Sequence, residues 1–174
     1  MTTRTHETTV EAVEGLPIVR IVREFDAPPA KVFRAHTDPE LLPRWYGPHG
    51  TETRIDDWDC RPGGSWALTH VNGEHVMRVR GCFHDVRPPG DAGPAAQPAS
   101  RAIGTIIQTF GLVDDPDSVA FERYTVEDLG EGRTRLTVST LAESFEARDA
   151  IIASGMESGV REGHGRLDAL LATL

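Results

Sequence analysis

Apolar residues follow two different periods along this chain, and these periods divide it into a strand-rich body and a helical end. Between Ile18 and Leu141, β-branched and aromatic residues form compact runs that are separated by Pro, Gly, Asn and Asp. This pattern is typical of β-strands bounded by turns. The predicted strands are Ile18–Phe25, Thr51–Trp58, Ser65–Val71, His75–Val86, Arg101–Val113, Val119–Val126 and Thr134–Leu141.

Proline and glycine mark the connections between the strands. Pro28-Pro29 ends the first strand and begins a short helix through His36, and Asp38-Pro39 supplies an N-cap and a first-turn proline for a second one. Asn72-Gly73 is a strong signal for a tight hairpin. The segment Pro88–Ser100 is rich in Pro, Ala and Gly, so we predict a mobile loop there.

The last stretch, Ser144–Leu174, has helical periodicity instead. Its apolar residues recur at steps of three, four or seven, and no proline interrupts it. Because Ser144 provides an N-cap, we predict one helix of about seven turns. The apolar residues of this face are Ile152, Met156, Val160, Leu167, Leu171 and Leu174.

A stripe of glycines runs beside this apolar face. Gly155, Gly159 and Gly163 recur every four residues, and Gly165 follows. A glycine inside a helix costs about 1 kcal/mol relative to alanine, so side-chain volume is unwelcome along the stripe. Either the helix packs closely on the sheet, or the glycines leave room for a ligand between helix and sheet, and both can hold together.

The order of the elements predicts an α+β fold with one antiparallel sheet. One strand is followed by two short helices, six strands and the long helix, without the strand–helix alternation of a parallel sheet. The apolar face of the sheet needs a cover, and the long helix is the only large candidate. We therefore predict a curved sheet wrapped around that helix over residues 17–174, preceded by a polar, flexible tail over residues 1–16.

Charge and composition restrict the partners. The net charge of −9 over 174 residues argues against nucleic acid and anionic membranes. The N-terminus lacks the apolar region of a signal peptide and no run has membrane-spanning length, so we expect a cytoplasmic protein. Cys60 and Cys82 are isolated, which indicates reduced thiols. We predict no cofactor and no metal.

The candidate chemistry is that of binding rather than catalysis. No serine lies in a nucleophile elbow, and no glycine-rich phosphate loop is present, so we predict that the protein is not an enzyme. His164 lies on the apolar helix face, where a structural hydrogen bond and a ligand contact are both compatible with the pattern. Gln108 and Tyr124 lie in apolar strands, where each polar group needs a partner.

Several local strings resemble one known superfamily. They are Phe25–Pro28, Thr37–Leu42, Arg44–Pro48, Arg61–Trp66, Val126–Gly130, Gly132–Leu136, Gly155-Met156 and Arg166-Leu167. Together with the element order, they resemble the START-like helix-grip (SRPBCC) superfamily, in particular its branch related to the C-terminal domain of the Hsp90 ATPase activator (AHSA1-like). The chain departs from that branch in the long, proline-rich Pro88–Ser100 segment and in His164, where an aromatic residue is common.

The resemblance implies a hydrophobic cavity between sheet and helix, and with it the principal function. That function is the binding of a hydrophobic or polycyclic small molecule by a monomer or weak homodimer, with no nucleic-acid or membrane partner. An aromatase/cyclase-type enzyme and an Hsp90-linked interaction module are the alternatives. The candidate ligand-binding residues are Trp45, Tyr46, Trp66, Phe83, Gln108, Phe110, Tyr124, Met156, Val160 and His164.

A more specific role follows from the same resemblance. The START-like group includes enediyne self-resistance proteins, which bind the drug and are cleaved in place of DNA. A cyclised enediyne is a diradical that abstracts hydrogen, and a glycine Cα–H is a good donor because no side chain shields it. The hypothesis is antibiotic self-resistance by sequestration or self-sacrifice, with Gly104, Gly111, Gly155 and Gly159 as candidate cleavage sites.

Overall fold

The computed structural model describes residues 6–90 and 103–174, which form eight strands, three α-helices and one 3₁₀ helix. The strands are β1 (Thr9–Ala12), β2 (Ile18–Phe25), β3 (Glu52–Trp58), β4 (Ser65–Asn72), β5 (His75–Arg87), β6 (Ile103–Leu112), β7 (Asp115–Gly130) and β8 (Arg133–Leu141). The α-helices are α1 (Pro29–Thr37), α2 (Phe145–Ala153) and α3 (Met156–Leu171), and the 3₁₀ helix is Leu42–Arg44. Most of the predicted loop Pro88–Ser100, and the first two residues of the predicted strand Arg101–Val113, lie outside the described residues.

All eight strands form one antiparallel sheet with the order β1-β2-β8-β7-β6-β5-β4-β3. Helices α1 and α3 contact each other and share one hydrophobic core with one face of the sheet, which we call the inner face. The outer face is the opposite one. The arrangement confirms the predicted α+β class and helix-grip fold.

Strand β1 differs from the predicted tail over residues 1–16. Thr9–Ala12 pairs with β2, with Thr9 opposite Val22 and Ala12 opposite Val19. The strand lies at the edge of the sheet and is mostly exposed, so it needs no apolar alternation, and the hydrophobic pattern could not reveal it.

Strand β7 begins earlier than predicted. Leu112 pairs with Asp115, so the turn is Val113-Asp114, and Pro116 lies inside the strand. Proline is tolerated because β7 first pairs with β8 at Phe121, which leaves the start of β7 at a free edge.

The predicted single C-terminal helix is two helices. Helix α2 starts at the predicted cap, where the Ser144 hydroxyl accepts from the Ala147 amide at 3.0 Å. It ends before Gly155, whose φ of +80° is left-handed and terminates an α-helix. Met156 then begins α3, so Ile152 and Leu167 belong to different helices. Only Ser154 and Gly155 separate the two helices, so the apolar residues keep their helical spacing in the sequence and do not reveal the break.

Candidate functional site

The turn Trp45–Pro48 is bound tightly to α3. Arg166 donates to the carbonyls of Gly47 at 3.1 Å, Pro48 at 3.3 Å and Arg44 at 3.0 Å. A Cβ on Gly163 would lie 3.4 Å from the Trp45 oxygen, and one on Gly159 would lie 3.6 Å from Pro48. At these distances a Cβ would make ordinary van der Waals contact, so α3 packs directly against this turn at Gly159 and Gly163.

The proposed glycine stripe is thereby corrected. Gly159 and Gly163 face the turn rather than the sheet, whereas a Cβ on Gly155 or Gly165 would meet nothing within 4 Å. Gly155 serves the helix break instead. None of the four glycines is in the lining of the two cavities described below.

A row of polar side chains crosses the inner face of the sheet. Gln108 of β6 pairs with Glu122 of β7, and Glu122 pairs with Thr140 of β8. Because directly opposed residues point to the same face, the three side chains meet. The Glu122 carboxylate accepts from Gln108 at 2.9 Å, from the Tyr124 hydroxyl at 3.1 Å and from Thr140 at 3.3 Å.

Glu122 was not predicted as a site residue. Burial raises the pKa of its carboxyl above the ordinary value, although the three donated hydrogen bonds act in the opposite direction. Strand alternation places residues 122, 124 and 126 on one face, so the position of Glu122 two residues before Tyr124 was the available signal. Its place opposite Gln108 is visible only in the strand register. Glu122 is thus the partner that the polar groups of Gln108 and Tyr124 need in their apolar strands.

Beside this row lies a small interior cavity of about 30 Å³ that is partly open to solvent. That volume holds one or two water molecules. The cavity is lined by His36, Leu42, Tyr46, Trp58, Trp66, Leu68, Ile106, Gln108 and Tyr124. Four predicted site residues, Tyr46, Trp66, Gln108 and Tyr124, are thus brought together.

His36 is a second residue that the sequence analysis missed. Its Nδ1 donates to the Val32 carbonyl at 2.8 Å, so the neutral ring presents the lone pair of Nε2. Burial lowers the pKa of His36 to about 4, although that hydrogen bond raises it, so the ring is uncharged at neutral pH. The ring packs against Trp45 at 4.7 Å and Tyr124 at 5.9 Å.

His70 extends the site through Tyr46. The Thr53 hydroxyl donates to the Tyr46 carbonyl at 2.9 Å, and therefore accepts from Nδ1 of His70 at 2.9 Å. The His70 ring stacks on Tyr46 at 5.3 Å, and its buried Nε2 has no partner among the described residues. Burial, followed by the Glu122 charge, raises the pKa of Tyr46, so the phenol stays neutral.

The three tryptophans have different roles. Trp45 and Trp58 donate to the carbonyls of Ala35 and Thr37 at 2.9 Å each, which satisfies the C-terminal end of α1. Within the described part of the chain, Nε1 of Trp66 is buried without a partner. Trp45 therefore supports the site from behind, whereas Trp66 forms its wall.

The other predicted ligand-binding residues lie around the cavity rather than in its lining. Phe83 is buried against Trp58, with ring centroids 5.3 Å apart, and Phe110 contacts Trp66 at 5.9 Å. Met156 and Val160 are half-buried against the same core. Gly104 is packed against Pro89 and Phe33, while Gly111 faces the Ser118 carbonyl.

His164 has a structural environment. Its Nδ1 lies 3.0 Å from the hydroxyl of the buried Thr8, and its ring meets the edge of Phe25 at 5.7 Å. Burial, then the His36 and Arg23 charges, lowers its pKa to about 3. Arg23 donates to Thr8 at 3.3 Å and forms an ion pair with Asp168. Hydrogen bonds and an ion pair link these four polar residues away from the cavity lining, although Nε of Arg23 is buried without a hydrogen-bond partner among the described residues.

A larger, open groove of about 390 Å³ lies mainly on the outer face. Its walls include Ser65, Ala67, Arg80, Cys82 and Thr109, which alternate along the strands with inward-facing core residues. The groove follows a gap in the pairing of β5 with β6 between Arg80 and Phe83. The convergent, partly unpaired polar groups lie around the smaller interior cavity, which makes that cavity the better candidate for a binding site.

In residues 6–90 and 103–174, no three His, Cys, Asp or Glu side chains converge to hold a metal ion. None of the described helices combines the length and apolar character that a bilayer crossing requires.

Comparison with known proteins agrees with this architecture. Residues 26–91 match the family model described as Activator of Hsp90 ATPase homolog 1-like protein. Among curated proteins, none matches the sequence.

Solved structures share the fold over nearly the whole chain. A protein from Rhodobacter sphaeroides is 23% identical, with a TM-score of 0.78 over 97% of this chain and 100% of its own. One from Arthrobacter aurescens is 25% identical, with a TM-score of 0.75 over 95% of this chain and 92% of its own. The AHSA1 protein of Silicibacter pomeroyi is 26% identical, with a TM-score of 0.67 over 90% of this chain and 98% of its own.

Proposed function

We propose that this chain, as an AHSA1-like member of the START-like superfamily, binds a hydrophobic small molecule at the interior cavity. The observation that carries the proposal is the cavity wall. It combines the aromatic side chains of Tyr46, Trp58, Trp66 and Tyr124 with the polar groups of His36 and Gln108. Apolar walls with a few convergent polar groups are typical of small-molecule sites.

The small cavity must widen for such a ligand. Drug-sized ligands occupy roughly 300 Å³ or more, against about 30 Å³ here. Tyr46 and Trp58 are half-buried, so they can move outward with less loss of buried area than the fully buried Phe83. The proposal therefore includes a second, open state that the ligand stabilises.

The more specific form of the proposal is sequestration of a polycyclic natural product, such as an enediyne, for self-resistance. The aromatic wall supports it, since flat rings stack favourably on aromatic side chains. None of Gly104, Gly111, Gly155 and Gly159 is among the residues that line the cavity. Their placement favours sequestration over self-sacrifice. Intact-mass analysis after exposure to an activated enediyne should then give uncleaved protein with bound drug.

A cyclase-type enzyme is the second candidate, and Glu122 is the observation that favours it. A carboxyl with a raised pKa, hydrogen-bonded to Tyr124 beside a neutral His36, is a usable acid–base pair. Turnover of a poly-β-ketone substrate that disappears in Glu122→Gln would support this candidate. The Hsp90-linked role rests on the family description alone.

The direct test of binding fills the cavity from its wall. Ile106 is buried in the lining, and its neighbour Ile107 points to the outer face. We expect 2-(1-naphthyl)ethanol to bind the native protein saturably in calorimetry. Ile106→Phe should abolish this binding, and Ile107→Phe should leave it unchanged.

Folding of both variants is checked by urea denaturation, because overpacking a core costs about 1–3 kcal/mol. If Ile106→Phe does not fold, Leu68→Phe fills the same cavity from β4. Absence of saturable binding by the native protein, or equal binding by the filled variants, would contradict the proposal.

A further inference from the structure

We propose that the interior site selects ligands that carry a protonated amine on an apolar, preferably aromatic, body. This inference rests on the proposed binding function and specifies the chemistry of the ligand. It follows from three features of the site: its aromatic wall, its surplus of hydrogen-bond acceptors, and the sign of its charge.

Several hydrogen-bond donors of the site already have partners within the protein, whereas the Tyr46 hydroxyl and the second amide N–H of Gln108 have none among the described residues. Gln108 and Tyr124 both donate to Glu122, and Trp58 donates to Thr37. The free indole N–H of Trp66 has almost no accessible surface, so a ligand does not reach it in this state.

The acceptors, by contrast, remain available. Nε2 of His36 keeps its lone pair, because Nδ1 is the nitrogen that donates to Val32. The Gln108 amide uses its nitrogen on Glu122, which leaves its oxygen without a partner among the described residues. The Glu122 carboxylate itself has further lone pairs. A ligand that complements this site must supply N–H or O–H donors.

The charge at the site selects among such donors. Within the described residues, no Lys or Arg lines the cavity, and Glu122 is the acid bonded to its wall. Partial desolvation disfavours the ionised form of Glu122, and a cation bound nearby would favour it. An anionic ligand would meet repulsion there instead.

The aromatic wall acts in the same direction. Tyr46, Trp58, Trp66 and Tyr124 all line the cavity, and faces of Trp and Tyr attract cations. An ammonium group between these rings and the carboxylate would combine a cation–π contact with a charge-assisted hydrogen bond. A neutral hydroxyl would make no cation–π contact, and its hydrogen bond to the carboxylate would be weaker than that of an ammonium group.

The test compares three ligands of nearly equal shape: 2-(1-naphthyl)ethylamine, 2-(1-naphthyl)ethanol and 1-naphthylacetate. Their affinities are measured by titration calorimetry at pH 7. We expect the amine to bind about tenfold more tightly than the alcohol, and the acetate to bind most weakly. In Glu122→Gln, the amine should lose about tenfold while the alcohol changes less than about twofold.

Glu127→Gln is the matched control, since Glu127 lies on the same strand but faces the outer side. It should leave all three affinities unchanged. Binding of the alcohol or the acetate as tight as that of the amine overturns the inference and leaves the proposed function intact. A preference for the amine that survives Glu122→Gln also overturns it.

If none of the three ligands binds the native protein, the proposed function fails together with the inference. Circular dichroism shows whether Glu122→Gln is folded. If it is not, the order of the three affinities in the native protein decides alone.

Discussion

Two groups of polar side chains lie between the inner face of the sheet and the helices, and they differ in what surrounds them: one is arranged around an ion pair, and the other lies beside a cavity. The first, which we call the N-terminal cluster, consists of Thr8, Arg23, His164 and Asp168, linked by hydrogen bonds and an ion pair. The second, the cavity cluster, consists of His36, Gln108, Glu122 and Tyr124. In it the donors converge on one carboxylate and acceptors stay free.

Burial alone does not distinguish structural from ligand-binding polar groups in this fold. Both clusters contain a neutral histidine with a lowered pKa, and Nε of Arg23 in the N-terminal cluster is itself buried without a hydrogen-bond partner among the described residues. The cavity is the feature that separates the two clusters, because a group that keeps a free acceptor beside a cavity is available to a ligand. Three experiments test this difference.

The largest effect is expected from Arg23→Met in the N-terminal cluster. The substitution leaves Asp168 and Thr8 without their donor, and breaking a buried ion pair of which one partner is half-exposed should cost about 2–3 kcal/mol. Urea denaturation measures the loss. Arg20 lies on the same strand as Arg23 and forms an exposed ion pair with Glu11 of β1, so Arg20→Met is the matched control. It should cost less than about 0.5 kcal/mol. Equal losses in the free energy of unfolding at the two arginines would contradict a structural role for the cluster.

Acidification should destabilise both clusters through their histidines. The pKa of His164 is lowered to about 3 and that of His36 to about 4, so between those values and the ordinary pKa of about 6.5 the unfolded chain binds more protons. Stability is therefore lost as pH falls, by about 2 kcal/mol for each histidine from pH 7 to pH 5.

Urea titrations of the native protein at pH 7, 6 and 5 measure this slope, and His164→Gln and His36→Gln should each remove their own share of it. Only His36→Gln should also weaken naphthylethylamine binding. An unchanged slope in both variants would show that other groups set the pH dependence.

The smallest effect is a gain of stability in the cavity cluster. The pKa of Glu122 is raised above its unfolded value, so its ionised form opposes folding at neutral pH. Glu122→Gln should therefore raise the free energy of unfolding at pH 7 by about 1 kcal/mol. The gain should vanish as pH falls through the ordinary range of a glutamate, where the native carboxyl is protonated in both states. A loss of stability at pH 7 would identify Glu122 as structural, like Arg23.

The strands were largely predictable because their signals are local. Ile18–Phe25 is a strand with the predicted bounds, and the predicted hairpin does join β4 to β5, although Asn72 pairs with His75 and the turn is Gly73-Glu74. Edge strand β1 escaped prediction because an exposed edge carries no apolar pattern. The helix break escaped because Gly155 was assigned to a packing stripe, whereas its left-handed conformation is a backbone property.

The site was predictable only in part, for a different physical reason. Tyr46, Trp66, Gln108 and Tyr124 were recognised as unusual and do line one cavity. Glu122 and His36 were missed, because an acid in a strand and a histidine in a short helix resemble surface residues until cross-strand register and helix packing place them. His164 was ambiguous in sequence, and its partner Thr8 lies 156 residues away.

That separation has a consequence for how the chain folds. Strand β2 pairs with β8, and Thr8 bonds to α3, so elements near the two ends of the domain must meet before the sheet is complete. Such long loop closures slow folding. During synthesis β2 leaves the ribosome long before β8, and its free edge stays open to wrong pairing until then. Native structure in this domain is therefore acquired mainly after translation has passed β8 and α3.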